Sequence, residues 1–344
     1  MSSVPFTDVL FSQHGHAGVI MLNRPQTINA LTGPMVLAIS HQLRIWSEDP
    51  DIYVIILMGA GELGLCAGGD IRALYTSGKA GDGQAETFWR DEYTLNDAIA
   101  RYPKPYVALM DGLVMGGGIG LSAHARHRIV TERSKLAMPE VGIGFLPDVG
   151  GTWLLSHAPG ETGTFLGLTG TAFGAADALY TGFADILVPS NQLQSLIDTL
   201  ADIASSDEVS ALLQEAAVKT ETSSLSLQRA DIDKVFQGDD AESMIAAAKA
   251  LRTDWGDTVA NTLLERSPTS VKVTLAALRR ARKLSSLSAC LEMELRAGLQ
   301  ILRGHDFYEG VRAQIIDKDR NPKWQPATLT EIDAATVAAH FDPA

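Results

Sequence analysis

The chain has 344 residues, 46% of them hydrophobic and 20% charged, enough for one large domain with an appendage or two modest domains around a substantial core. Its net charge of −13 argues against nucleic acid as a partner, because duplex binding needs clustered Lys and Arg to displace counterions. No apolar run reaches the ~20 residues that span a bilayer, no basic stretch leads into an apolar one at the N-terminus, and Cys66 and Cys290 fit no disulfide framework, so a soluble, unsecreted, cytoplasmic protein is expected.

Val19-Ile20-Met21-Leu22 is a short β-branched run bounded by turn formers and reads as a buried strand. A helix follows, from about Gly33 to Ser47, and then a second strand over Tyr53–Met58. Cys66-Ala67-Gly68-Gly69 is a glycine turn whose backbone no side chain blocks. Pro105–Met110 repeats the strand signature, Met115-Gly116-Gly117-Gly118 turns into a helix through Ile119–Ala123, and Arg128-Ile129-Val130 offers another strand. Strands alternating with helices imply crossover units and a largely parallel sheet. From about Thr169 the texture becomes Ala-rich, and from Leu193 it is almost wholly helical, dividing the chain into an α/β core (1–190) and a C-terminal helical region (191–344). Within that helical stretch Ser223–Asp240 is polar and carries the weakest pattern, and Asp317–Pro326 reads as a Pro-bounded irregular tail.

The chemistry concentrates in the first half. A glycine turn entering a helix offers free backbone N–H groups at the positive end of the helix dipole, a place that can hold a developing oxyanion. Pro139-Glu140 and Pro147-Asp148 add two carboxylates nearby, and the set suits attack on a thioester carbonyl. Asp148, ahead of Val149-Gly150-Gly151-Thr152, also reads as a helix N-cap. Arg24, Lys104 and the cluster Arg279, Arg280, Arg282, Lys283 are local cations available to phosphates, although the cluster also reads as a solvated helix face. The 8 histidines lack a His-Glu-x-x-His spacing and no Gly-x-Ser-x-Gly elbow occurs, so neither a metal site nor a serine triad is expected. Cys66 lies beside the presumed pocket and reads as a packed thiol.

Asn23-Arg24-Pro25, Asn29-Ala30-Leu31, Cys66-Ala-Gly-Gly-Asp-Ile71, Asp111-Gly-Leu-Val-Met-Gly-Gly-Gly118, Met138-Pro-Glu140 and Pro147-Asp148-Val-Gly-Gly151 resemble, in order and spacing, the crotonase (enoyl-CoA hydratase/isomerase) superfamily. Four further stretches, Phe88–Asn96, Ser267–Lys272, Cys290–Arg296 and Asp306–Arg312 running on to Trp324, resemble its 3-hydroxyisobutyryl-CoA hydrolase subgroup. The resemblance extends from about residue 8 to 330. It implies a crotonase-like α/β fold of stacked sheets with surrounding helices, and a subunit that assembles as a dimer, trimer or hexamer.

For the site, the resemblance implies that the N–H groups of Gly69 and Gly117 receive the thioester oxygen. Glu140 then activates water or attacks the carbonyl, and Asp148 with Glu92 handles the substrate hydroxyl and the water. Ala67, Asp70 and Arg24 are further substrate-binding candidates, Asp70 and Arg72 lying near where family members hold adenine and phosphates. No cofactor is implied, since coenzyme A is part of an acyl-CoA substrate. Two carboxyls sharing a dry pocket repel, which would raise one pKa and leave one acid and one base near neutral pH. Many hydratases of the superfamily carry a second glutamate where this chain has Gly120; its absence disfavours two-glutamate hydration and is expected to free space. The expected reaction is hydrolysis of a short branched 3-hydroxyacyl-CoA such as 3-hydroxyisobutyryl-CoA, in valine breakdown; the rivals are a hydratase or isomerase of the same fold and a catalytically silent acyl-CoA binder.

Overall fold

The β-branched runs of the first half fold into strands, described together with the rest of residues 6–342 by a computed structural model. In chain order these are β1 (Val9–His14), β2 (Ala17–Leu22), β3 (Val54–Gly59), β4 (Gly64–Cys66), β5 (Tyr106–Met110), β6 (Leu113–Met115), β7 (His127–Val130), β8 (Lys135–Ala137), β9 (Phe173–Gly174) and β10 (Ile186–Leu187). One sheet has the order β1-β2-β3-β5-β7-β10 and the other β4-β6-β8-β9. Among these strands the edge pairs β1–β2 and β8–β9 are antiparallel and the other strand pairs parallel.

The larger sheet is covered on both faces, which is why its central strands are apolar throughout rather than alternating. Ile55, Leu57, Tyr106 and Ala108 face a core shared with the Gly33–Glu48 and Gln84–Ala100 helices. Val54, Ile56, Val107 and Leu109 point the other way, into a second cluster closed by the Leu193–Ala201 and Val209–Ala216 helices. Burial of each such side chain contributes about 1.5–3 kcal/mol, so this double cover is a large part of what holds the sheet.

Beyond Ser190 the described chain forms helices joined by turns and by one irregular stretch over 317–328, where the sequence placed its Pro-bounded tail. Their starts follow from local chemistry: Ser267 accepts from the Ser270 N–H with Pro268 at the first helical position, and Thr253, Ser286 and Asp240 cap their own helices likewise. The helical region joins the core, because one hydrophobic cluster runs from Val9 to Phe341 and Gly298 lets the Leu287–Leu302 helix approach the Phe145 ring.

Ser223–Asp240, where the sequence pattern is weakest, forms the Ser224–Leu227 and Arg229–Phe236 helices, tied down by Asp177, which accepts from Ser223 Oγ, Ser224 Oγ and the Leu225 N–H. The three arginines of the basic cluster are engaged, while Lys283 is exposed. Arg279 and Arg282 both pair with Glu161, and Arg280 lies over the Phe341 ring. Lys104 is likewise committed, donating to the Trp46 and Asp49 carbonyls. No helix of the described residues is long and apolar enough to cross a membrane.

Candidate active site

β4 and β6 are parallel neighbours with Cys66 opposite Val114, so the loops leaving their C-terminal ends lie side by side. In the first loop, Leu31 donates to Gly68 O and accepts from the Asp70 N–H; this parallel bridge turns the N–H of Gly69 to the opposite side. The second loop passes through Gly116, at φ 46 and ψ −120, and starts the Gly117–Ser122 helix, whose first N–H groups have no intrahelical acceptor. Neither the Gly69 nor the Gly117 N–H donates a hydrogen bond among the described residues. They are close: a Cβ built on Gly117 would stand 3.4 Å from Gly69 N.

Three carboxylates face this pair. Glu140 opens a short 3₁₀ turn after β8, and its Oε1 lies 3.0 Å from where a Gly116 Cβ would be. Glu92, on the inner face of the Gln84–Ala100 helix, stands against Gly117. Asp148 accepts from Tyr93 Oη at 2.7 Å. Glu92 Oε1 and Glu140 Oε2 are buried with no partner among the described groups, an arrangement that leaves them available to a ligand or a reacting water. All three line one cavity of about 180 Å³ together with Ala67, Gly69 and Gly117, and Trp89, Phe145 and Phe307 form its apolar wall.

Burial dominates the electrostatics. It drives the Glu140 and Glu92 carboxyls well above the ordinary carboxylate range, and the neighbouring Asp148 charge pushes each further. Asp148 is raised to about 7 by burial, held back by the Tyr93 hydrogen bond. The expected mutual repulsion of carboxyls in a dry pocket is thus present, among three groups rather than two. Cys66 is a packed thiol: burial pushes it up to about 12, and it donates to Asn29 O.

Two sequence expectations change. Asp148 is not the N-cap of the helix that follows it. That helix, Gly151–His157, starts at Gly150, and the N–H groups of Gly150 and Thr152 donate to Glu294 instead, leaving Asp148 to the cavity. The missing side chain at Gly120 frees no space, since a Cβ there would come within 2.7 Å of Val149 Cβ and 2.8 Å of Asn96 Nδ2. Asn96 occupies that position from the turn below Glu92, with its side-chain nitrogen and oxygen both unpartnered.

Arg24 and Asp70 stand outside the cavity and bind each other at 3.2 Å, while Asp70 also caps the Ile71–Ala80 helix. Arg72 donates to Ile315 O at 2.5 Å, linking that helix to a π-helical turn over Arg312–Ile316 whose Ile315 lines the cavity. Among the described residues, no group of three or more His, Cys, Asp or Glu side chains is arranged to hold a metal ion. Sequence reading missed Tyr93, Glu294 and the aromatic wall. Tyr93 had a signal, standing next to Glu92 in the stretch that resembles the hydrolase subgroup.

Parallel strands whose loops present two unengaged glycine amides to buried carboxylates define an acyl-CoA enzyme of the crotonase fold. The chain belongs to the enoyl-CoA hydratase/isomerase family, whose pattern it matches over residues 17–341. It is 42% identical to the mitochondrial 3-hydroxyisobutyryl-CoA hydrolase of Danio rerio, over 99% of this chain and 91% of the relative. The corresponding protein of Homo sapiens is 39% identical, over 97% and 88%. Among solved structures, a carnitinyl-CoA dehydratase from Mycobacterium thermoresistibile superposes with a TM-score of 0.93 at 46% identity, over 98% of this chain and 97% of that one. An enoyl-CoA hydratase from Rhodobacter sphaeroides 2.4.1 gives 0.91 at 40%, with the same coverage.

Proposed function

We propose that this protein hydrolyses a short branched 3-hydroxyacyl-CoA thioester, 3-hydroxyisobutyryl-CoA foremost, to the free hydroxy acid and coenzyme A. The observation that carries the reading is the buried, unpartnered Glu140 Oε2 in the same small cavity as the unengaged amides of Gly69 and Gly117. The thioester oxygen enters between the two amides, which act as an oxyanion hole and stabilise the charge that grows there as the carbonyl is attacked. Glu140 is the attacking carboxylate or the base that takes a proton from water. Asp148 and Glu92 hold the 3-hydroxyl and the water, their raised pKa values leaving donors and acceptors side by side near neutral pH. Coenzyme A is part of the substrate, and the reading calls for no cofactor.

A cavity of about 180 Å³ with an aromatic end suits a short acyl group. The curated relatives named as hydrolases support the same substrate over nearly the whole chain. A place in valine breakdown follows from that substrate. A reducing compartment, taken as the cytoplasm, suits two buried free thiols, although the animal relatives are named mitochondrial.

The second reading is a hydratase, favoured by likeness to the two solved structures, one a dehydratase and the other a hydratase by name. The occupied space at Gly120 counts against it, because no second glutamate fits there. Thiol release separates the two. The proposal expects coenzyme A to appear from 3-hydroxyisobutyryl-CoA at a rate abolished by Glu140→Gln; hydration of crotonyl-CoA with no thiol release overturns it.

A further inference from the structure

The turn that carries Asp148 is held by a residue from the far end of the chain. Glu294, on the Leu287–Leu302 helix, is fully buried, and both of its oxygens are spoken for. Oε2 accepts from the Gly150 N–H at 2.7 Å; Oε1 accepts from the Thr152 N–H at 2.9 Å and from Thr152 Oγ at 2.5 Å. These donors begin the helix directly after Asp148, in the place where a capping side chain from that segment would ordinarily stand.

The turn needs holding. Val149 has φ 52, a left-handed conformation that a β-branched residue adopts only under constraint from its surroundings. His124 Nε2 meets Val149 O at 2.7 Å from one side, and Glu294 grips the following amides from the other. Between them both ends of the Val149–Gly150 peptide bond are held, while the Gly151 N–H donates to the Asp148 carbonyl across the turn, and with them the direction in which Asp148 enters the cavity is fixed.

We infer that Glu294 is a positioning residue for the hydrolytic reaction: through Gly150 and Thr152 it locks the strained Asp148–Val149 turn, and so makes the C-terminal helical region a working part of the active site. The inference rests on the hydrolytic reading above. The ionisable groups that face Glu294 are Asp148 and Thr152-bonded Cys290 beside it, with Tyr93 and Glu140 across the cavity. Burial raises its pKa to about 8, and the three donors hold it from rising further. Glutamine cannot replace it, because its NH₂ would face a backbone N–H on one side or the other.

The test is a double-mutant cycle on coenzyme A release from 3-hydroxyisobutyryl-CoA. Glu294→Gln is expected to lower kcat by about tenfold to a hundredfold, the cost of misplacing a reacting group by about 1 Å, with KM changed by less than about threefold. In an Asp148→Asn background the same change is expected to cost less than about threefold, because there is no longer a carboxylate to misplace. Losses that multiply in the double variant, or a single Glu294→Gln variant with near wild-type kcat beside a crippled Asp148→Asn, overturn the inference. Thr152→Val removes one of the three donors with little change of shape; a smaller kcat loss, also erased by Asp148→Asn, supports the inference even where Glu294→Gln does not fold, and a loss that persists in that background overturns it. An Asp148→Asn enzyme with wild-type turnover takes Asp148 out of the reaction and overturns the inference, whereas a wild-type protein that releases no coenzyme A overturns the hydrolytic reading itself.

Discussion

Tyr93 Oη donates to Asp148 Oδ2 at 2.7 Å, and both groups are shut away from solvent. A donor aimed at a carboxylate favours its ionised form, so Tyr93 pulls the Asp148 pKa down from where burial alone would set it. Tyr93→Phe keeps the ring and removes the donor. The acid limb of kcat/KM is then expected to move to higher pH than in the wild type, where it falls near 7, with a stability loss of about 1 kcal/mol. A limb that stays in place, or one near pH 4–5 in the wild type, would show that Asp148 does not titrate in the catalytic cycle.

Gly117 contributes a backbone donor, and replacement by proline would delete that donor. Alanine is not mild either, because its methyl would run into Glu92 Oε1 and stand 3.0 Å from Leu31 Cδ1. Gly117→Ala is expected to lower kcat by at least about tenfold, since moving one donor of an oxyanion site forfeits part of the ~3 kcal/mol that such a donor supplies. Gly33→Ala is the control. Its methyl meets nothing within 4 Å at the start of a helix, and activity and Tm should be unchanged or slightly improved. Equal kcat for wild type and Gly117→Ala would remove Gly117 from the site.

Much of this arrangement is legible in the sequence, and what is not has a physical reason. β2, β3 and β5 announce themselves because a strand covered on both faces must be apolar at every position, as Val54–Leu57 is. The glycine loops are visible because a backbone that meets a ligand tolerates no side chain. Glu294 is invisible as a cap: it lies 144 residues from the Gly150 amide it accepts from, and local pattern names Asp148 for the task. Asn96 is hidden for a related reason. A polar residue on an amphipathic helix reads as solvent-facing until tertiary packing shows what stands opposite, here Gly120 and Val149. β9 and β10, two residues each, carry too little pattern to read at all.

Grafting the second glutamate of a hydratase onto this scaffold is expected to fail. Gly120→Glu would drive a side chain into Val149 and Asn96 and leave a further carboxylate in a pocket that already holds three. Overpacking alone costs about 1–3 kcal/mol, and the added buried charge more. The expected outcome is a Tm lowered by several degrees with no gain in crotonyl-CoA hydration. A stable variant that hydrates crotonyl-CoA would mean that this part of the pocket opens.

The apolar wall is expected to set acyl length. Trp89 and Phe145 stack with centroids 5.0 Å apart, Phe307 meets both rings, and Gly298 backs Phe145 so closely that a methyl there would stand 2.8 Å from its ring. The wall therefore has no slack. Phe145→Leu is expected to cost about 1–2 kcal/mol of stability and to raise kcat/KM for acyl groups one or two carbons longer relative to the C4 substrate. An unaltered chain-length profile, measured by thiol release over a linear series, would place the acyl end elsewhere.

The buried carboxyls also make stability depend on pH in a particular direction. Asp148 is raised to about 7, Glu294 to about 8, and Glu92 and Glu140 well above the ordinary range, so the folded protein binds these protons more tightly than the unfolded chain, where such groups titrate near 4. Their contribution is complete below the unfolded value and is lost as pH climbs through the folded ones. His124, His127 and His340 act oppositely, because burial lowers their pKa values, but their opposing contribution fades as pH rises past about 6.5, where the unfolded imidazoles also lose their protons. Ion-paired acids such as Glu309, whose pKa the Arg312 guanidinium lowers, matter only at more acid pH. Between pH 6.5 and 8 the carboxyls therefore dominate, and Tm is expected to fall as pH rises. Asp148→Asn, which keeps an oxygen for Tyr93 but cannot titrate, should make that slope shallower, the other buried carboxyls supplying the remainder. Calorimetry at several pH values across this window decides the matter: a Tm that rises with pH, or an unchanged slope in the variant, would mean that Asp148 is already ionised well below neutrality.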